Sequence, residues 1–318
     1  MFEVPFHYFC SLKIIMSDET NEVQRAFCHT ILDLSEKHQA DIILFDADIE
    51  KPQDKLLFEC CNQPAYENVL LFLTTAGGNP DVAYRIARYL QEKYRKFTVY
   101  VDTYCKSAGT LITLGADEVI MSDRAELGPL DVQLLKPDEL EGRDSGLDLI
   151  HALERLKETS YEVFEGFFWT LWLKGGGQIS SKSALKVAIQ ATSGLLGPVY
   201  HQIEPMKLGQ FYRAMEIAEA YGKRLNTRGN LKPEALHRLI YDYPSHSFVI
   251  DRSEAEQFIF ESVREPNEQE AQVVLELRQI PHINGDQEVV IHNFTKTYLE
   301  KEDEKEDEKE NSHGKNER

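Results

Sequence analysis

The chain has 318 residues, 42% of them hydrophobic, and 54 acidic residues against 35 Lys and Arg give a net charge of −19. That length can bury a sizeable core, while the charge argues against a non-specific binder of nucleic acid or of anionic membranes. No apolar run reaches the roughly 18 residues of a membrane span, and five cysteines without metal-ligand spacing point to free thiols in a reducing cytoplasm, with no metal or cofactor.

The opening "MFEVPFHYFCSLKIIM" carries Glu3 and lacks the basic start of a signal peptide, and Met16 offers a second possible start. Residues 20–38 then read as an amphipathic helix, "ADIILFDADI" as a strand, and 52–62 as a helical or irregular stretch. The strand "NVLLFLTT" runs into the loop "AGGNP", and a helix begins with Pro80 in its first turn. The strand "FTVYVD" follows. Continuous apolar strands alternating with helices predict an α/β fold with a buried, largely parallel sheet. Beyond "ELGPLD" the segments 146–173, 179–193, 208–224 and 232–241 read as helices, so the C-terminal half is expected to be helical. "SFVID" reads as a short strand and 252–262 as a helix. From Glu265 the pattern predicts a linker, and "VVLELRQI" and "QEVVIHNF" a small hairpin around "NGD". Residues 301–318 are low-complexity and expected to be disordered. The expected division is therefore a domain over 1–263, a linker with hairpin over 264–300, and the charged tail.

Two junctions carry chemical interest. In "LLFLTTAGGNP" consecutive glycines allow a sharp turn that brings backbone N–H groups close to another group. One strand later, "VDTYCKSAGTLITLGA" places Ser107 where a strand passes into a helix of small residues. A serine there either caps the helix or attacks a carbonyl while nearby N–H groups hold the oxyanion. If the two strands are parallel neighbours, both junctions share the carboxyl edge where active sites of open α/β sheets form. Cys105 is a second nucleophile on paper, although a small buried cysteine more often packs.

"LFLTTAGGNPDVAYRIARYL" with "KSAGTLITLGADEVIMSDRAELGPLDVQ" resembles the serine dehydrogenase proteinase family, and the downstream "HQIEPMKLGQFYRAMEIAEAYGKRL" and "YPSHSFVIDRSEA" look like the same family. These are Clp-fold serine peptidases, related to signal peptide peptidase A and more distantly to the Clp proteolytic subunit. The resemblance spans roughly residues 40–259. It implies a Clp/crotonase-like core, a polypeptide substrate, ring-like homo-oligomers, Ser107 as nucleophile, and the backbone N–H groups of Gly78 and Ala108 as oxyanion hole. No G-x-G-x-x-G joins a strand to a helix, so nothing here binds a dinucleotide in the usual way.

The general base is harder to place. A Clp-like histidine is expected about two dozen residues after the serine, but none occurs between Ser107 and His151. Asp131 lies nearest that position, and a carboxylate is a weak base for a hydroxyl. Relatives of signal peptide peptidase A use a downstream lysine, for which Lys136 and Lys157 are available. Lys136 lies in a polar loop. Lys157 interrupts the helical stripe Ile150, Leu153, Tyr161, Phe164, Phe168, Leu171, where burial would favour the neutral amine a base requires. The alternative is a side chain that reaches out to water or pairs with Glu154. His246, in "YPSHSFVID", is the next candidate. The expected activity is that of a cytoplasmic serine endopeptidase. A non-catalytic Clp-fold assembly module and a crotonase-type acyl-CoA enzyme are the rival readings.

Overall fold

The computed structural model describes residues 22–130, 133–135, 143–176, 178–279 and 289–299. These fall into two compact units. The first comprises the chain to Leu130, then Ala218–Ile240, and the chain from Ser247; the second comprises Asp131–Ile217 and Tyr241–His246.

In the first unit the elements run α1 Glu22–His38, β1 Ala40–Ala47, α2 Gln53–Cys60, β2 Asn68–Thr74, α3 Pro80–Lys93, β3 Lys96–Val101, β4 Tyr104–Cys105, α4 Ala108–Thr113, β5 Glu118–Met121 and β6 Glu126–Leu127. Strands β1, β2, β3 and β5 form a six-stranded sheet with β9 Val263–Arg264 and β10 Val289–Asn293, in the order β10-β1-β2-β3-β5-β9, while β4 and β6 pair separately. Every pairing is parallel except that of β10 with β1. The register sets Ile43 beside Leu71, Leu71 beside Val99, and Val99 beside Val119. The apolar strand runs are buried on both faces because helices cover both, as the sequence pattern required. On one face Phe27, Ile31 and Leu34 of α1 join Val273 and Leu277 of α8 (Glu268–Leu277) against Ile42, Leu70, Phe72 and Tyr100. The helix α3 buries Val82, Ala83, Ile86, Ala87 and Leu90, a stripe at helical spacing. Each fully buried Val, Leu, Ile or Phe among these contributes about 1.5–3 kcal/mol.

The second unit holds β7 Gln133–Leu135, β8 Arg143–Ser145, α5 Gly146–Lys174, α6 Ser181–Tyr200 and most of α7 Pro205–Leu225, whose residues from Ala218 belong to the first unit. The helical C-terminal half is thus as expected.

Three expectations need correction. "VVLELRQI" is not a hairpin strand but lies largely within α8. Asn267 accepts from Glu270 N–H while Glu270 accepts from Asn267 N–H, a reciprocal cap inside "PNEQEAQ" that starts a helix where a linker was expected. "QEVVIHNF" supplies β10, which pairs with β1 rather than with its predicted neighbour. "SFVID" gives only a single bridge, Leu127 to Ile250. From residue 263 on, β9, α8 and β10 complete the first unit's sheet and core. The expected disordered tail, 301–318, lies outside the described residues.

Candidate active site

The carboxyl ends of β1, β2 and β3 carry three segments that hold one another by backbone hydrogen bonds. After β1, Ile49 N–H donates to Gly77 O and Asn79 N–H donates to Ile49 O, both at 2.7 Å. After β2, Thr75 N–H donates to Tyr104 O at 3.1 Å, and Lys106 N–H donates to Thr75 O at 3.0 Å. The glycine loop is therefore clamped between the segment after β1 and the strand β4 that leads to Ser107. The two junctions singled out in the sequence lie side by side at one sheet edge.

Both glycines are required by this clamp. Gly77 and Gly78 have φ of 117° and 138°, where L side chains are strained. A Cβ on Gly78 would lie 2.4 Å from Ile49 O, inside backbone that cannot yield, and one on Gly77 would lie 3.0 Å from Ser107 Cβ. Thr75 braces the turn, its Oγ1 accepting from Gly77 N–H at 3.1 Å. Asn79 then caps α3 by accepting from Asp81 and Val82 N–H, with Pro80 as the first helical residue.

Ser107 is half-buried and has φ 50°, ψ −112°. A non-glycine residue at positive φ costs on the order of 1–2 kcal/mol, and such strain concentrates at functional sites. The serine does not cap α4: its side chain makes no capping hydrogen bond. Instead the strained turn places a free-standing hydroxyl between a strand and a helix, the geometry of a nucleophile elbow. The helix α4 is short, six residues, and every one of them is buried. Thr110 anchors it by donating to Gly128 O at 2.7 Å and accepting from Gly128 N–H at 3.2 Å. Ala108 is the first residue of α4, so its N–H has no partner within the helix. Among the described residues no hydrogen bond engages the N–H of Ala108 or of Gly78.

The neighbours of Ser107 are committed elsewhere. Cys105 is fully buried, and burial pushes its thiol well above the usual range, which leaves a poor nucleophile. Lys106 Nζ is 2.9 Å from a Glu126 carboxylate oxygen and donates to Leu127 O at 3.2 Å.

Lys157 and His246 both belong to the second unit. Lys157 is exposed on α5. Its stripe is covered only in part: Ile150 is buried, Leu153, Phe164, Phe168 and Leu171 are half-buried, and Tyr161 is 66% exposed. The burial anticipated for Lys157 is thus not supplied by this chain alone, because too little packs on that face of α5. His246 is half-buried and keeps an interaction of its own. Asp131 and Lys136 lie outside the described residues. No group of three or more potential metal ligands occurs among the described residues. None of their helices is long and apolar enough to cross a membrane.

Sequence reasoning missed Ile49, Thr75 and Thr110. Thr75 and Thr110 flank the glycine pair and the serine, and small hydroxylated residues beside a tight turn are a readable signal. Ile49 acts through its backbone, which carries no signal in residue type.

Residues 42–139 match the model of the ClpP-like SDH-type serine proteinases. The resemblance drawn from the motifs therefore holds over that stretch, and with it the Clp-like α/β core and support for a peptidase-type function. The chain is also similar to the uncharacterized protein MJ0137 of Methanocaldococcus jannaschii, 30% identical over 132 residues, covering 39% of this chain and 46% of that protein. A second uncharacterized protein of the same organism, MJ1495, is 42% identical over 64 residues, 20% of this chain and 22% of that protein. The chain thus spans less than half the length of each of these curated relatives. Among solved structures, one of the 1510-N membrane-bound stomatin-specific protease in complex with a substrate peptide is 15% identical, covering 80% of this chain and 90% of that one, with a TM-score of 0.38.

Proposed function

We propose that this chain, which carries a ClpP-like SDH-type serine proteinase region over residues 42–139, is a serine endopeptidase acting through Ser107. The observation that carries the reading is the strained Ser107 backbone, φ 50°, at a strand-to-helix junction beside Gly77, with its hydroxyl not used as a cap. In the proposed reaction Ser107 Oγ attacks the scissile carbonyl carbon. The carbonyl electron pair moves onto oxygen, and the N–H groups of Gly78 and Ala108 hold the oxyanion. The base takes the Oγ proton and returns it to the leaving amine. Water then repeats the sequence on the acyl-enzyme.

The base is assigned to Lys157, with His246 next. A lysine base needs removal from water, and Lys157 is exposed in the single chain. The assignment therefore goes together with a homo-oligomer in which a second copy covers α5 around Leu153, Lys157 and Tyr161, short of the aromatic cluster at the helix end. A cytoplasmic polypeptide is the substrate in this reading.

A fluorophosphonate probe tests the nucleophile: wild type should label and Ser107→Ala should not. Failure to label at any pH would favour the non-catalytic assembly module. Lys157→Met tests the base. It should lower turnover by about 10²–10⁴ while leaving the fold intact, and undiminished turnover would shift the assignment to His246.

A further inference from the structure

Both tryptophans of the chain, Trp169 and Trp172, sit in the last turns of α5, where they are 46% and 41% exposed. They form one aromatic cluster with Phe168, at centroid distances of 5.2–5.9 Å. Leu173 next to them is 66% exposed. Past a turn at Gly175 and Gly176 the chain returns as α6, running antiparallel to α5, with Ser160 Oγ 3.1 Å from Tyr200 Oη at the other end. Of the twenty residues of α6 only Ala184 and Ala188 are buried, while Leu185, Val187 and Ile189 are 42–50% exposed. The tip of this hairpin thus leaves an aromatic cluster and several further large apolar side chains in water, which chains rarely do without a partner.

The charge pattern says what the partner is. In a chain of net charge −19, residues 166–203 contain no Asp or Glu. Their only Lys or Arg residues are Lys174, Lys182 and Lys186, all exposed and all around the turn. The nearest acidic residue on α5, Glu165, lies about 13 Å back along the helix from Lys174, beyond the screening length of about 8 Å at physiological salt. Lysines beside exposed tryptophan and leucine are what an element seated in an anionic membrane interface presents: aromatic rings at the headgroup level and cations toward the lipid phosphates. A second copy is a poorer match, because it would bring another chain of net charge −19 beside this one, with only these three lysines to offset the repulsion. The net charge of −19 opposes non-specific attachment of the whole chain to an anionic membrane, but the hairpin tip carries no acidic residue of its own. We propose that this tip alone docks the protein onto an anionic lipid surface, lying in the interface without spanning it.

The two tryptophans make the test intrinsic, because all tryptophan emission of the full chain reports on the hairpin tip. Vesicles of phosphatidylcholine mixed with phosphatidylglycerol should shift that emission to the blue. Brominated acyl chains should quench it, and the protein should float with the vesicles. Vesicles of phosphatidylcholine alone, or high salt, should weaken all three effects. Changing Lys174, Lys182 and Lys186 to Gln one at a time should lower affinity roughly fivefold each, with an unchanged circular dichroism spectrum because all three are exposed. Emission that ignores both vesicle types overturns the proposal. So does a blue shift that follows protein concentration without lipid, which would assign the face to a second copy.

Discussion

The carboxyl edge of the sheet and the tip of the α5–α6 hairpin treat their residues in opposite ways. At the edge, backbone bonds Ile49 to Gly77, Asn79 to Ile49, and Thr75 to Tyr104 fix every segment, and a Cβ on Gly78 has no room. At the tip, Gly176 meets nothing that a Cβ would touch, and large apolar side chains stand in water. One region is over-determined from within the chain; the other is completed from outside it. Strain persists only where surroundings over-determine it, so a positive-φ serine belongs to the first region. Adaptable surface belongs to the second.

The strongest way to break this comparison is at Ser107. Ser107→Ala should reduce peptidase turnover by about 10⁶, as removal of a nucleophilic serine does. Stability should barely change, since no capping bond is lost. Ser107→Gly should be equally inactive and more stable than Ser107→Ala by about 1 kcal/mol, because glycine relaxes the positive φ. Turnover assays beside chemical denaturation check both. An inactive but stabilised glycine variant marks the strain as held for function. Full activity in either variant removes Ser107 from the chemistry.

Next in size is the glycine loop. Gly78→Val should lower turnover by at least about 10², through loss of an aligned oxyanion donor. It should also destabilise, as the clamp on Ile49 must open. Asn79→Ala, one residue on, should cost only about 1 kcal/mol through the lost cap of α3 and leave turnover near wild type. Equal turnover losses in the two variants would mean that the edge responds to general loosening, with no special part for the Gly78 N–H.

Much of the edge was legible in the sequence. The apolar runs 68–74 and 96–101, the glycine pair and the small-residue helix after Ser107 carry local signals, and parallel pairing follows from their alternation with helices. The role of Ile49 was not legible, since a backbone carbonyl has no letter in the sequence. Nor was β10 as the partner of β1, a pairing some 245 residues apart in the chain that periodicity cannot register. The capping box at Asn267 was written in the sequence but passed for a linker because its residues are polar. Lys157 shows the reverse failure. The stripe around it was read correctly as apolar, yet periodicity reports a face and not what covers it, and here α5 is largely uncovered.

The smallest effect sharpens the comparison most directly. Ile112 and Ile189 are the same residue type in helices of the two regions, 0% and 50% exposed respectively. Ile112→Ala in α4 removes atoms packed on all sides and should cost about 2–5 kcal/mol, the transfer loss plus the cavity left behind. Ile189→Ala in α6 removes atoms already half in water, leaves no cavity, and should stay within about 0.5 kcal/mol. Alanine also favours helix over isoleucine, which offsets part of that small loss. Urea denaturation of the two variants measures the difference, with the slope of the transition held as a check that the unfolded states match. If Ile189→Ala proves as costly as Ile112→Ala in lipid-free solution at low protein concentration, the hairpin face is already covered there. The division between a self-completed edge and an externally completed tip then falls, and lipid is no longer needed to explain the exposed apolar face.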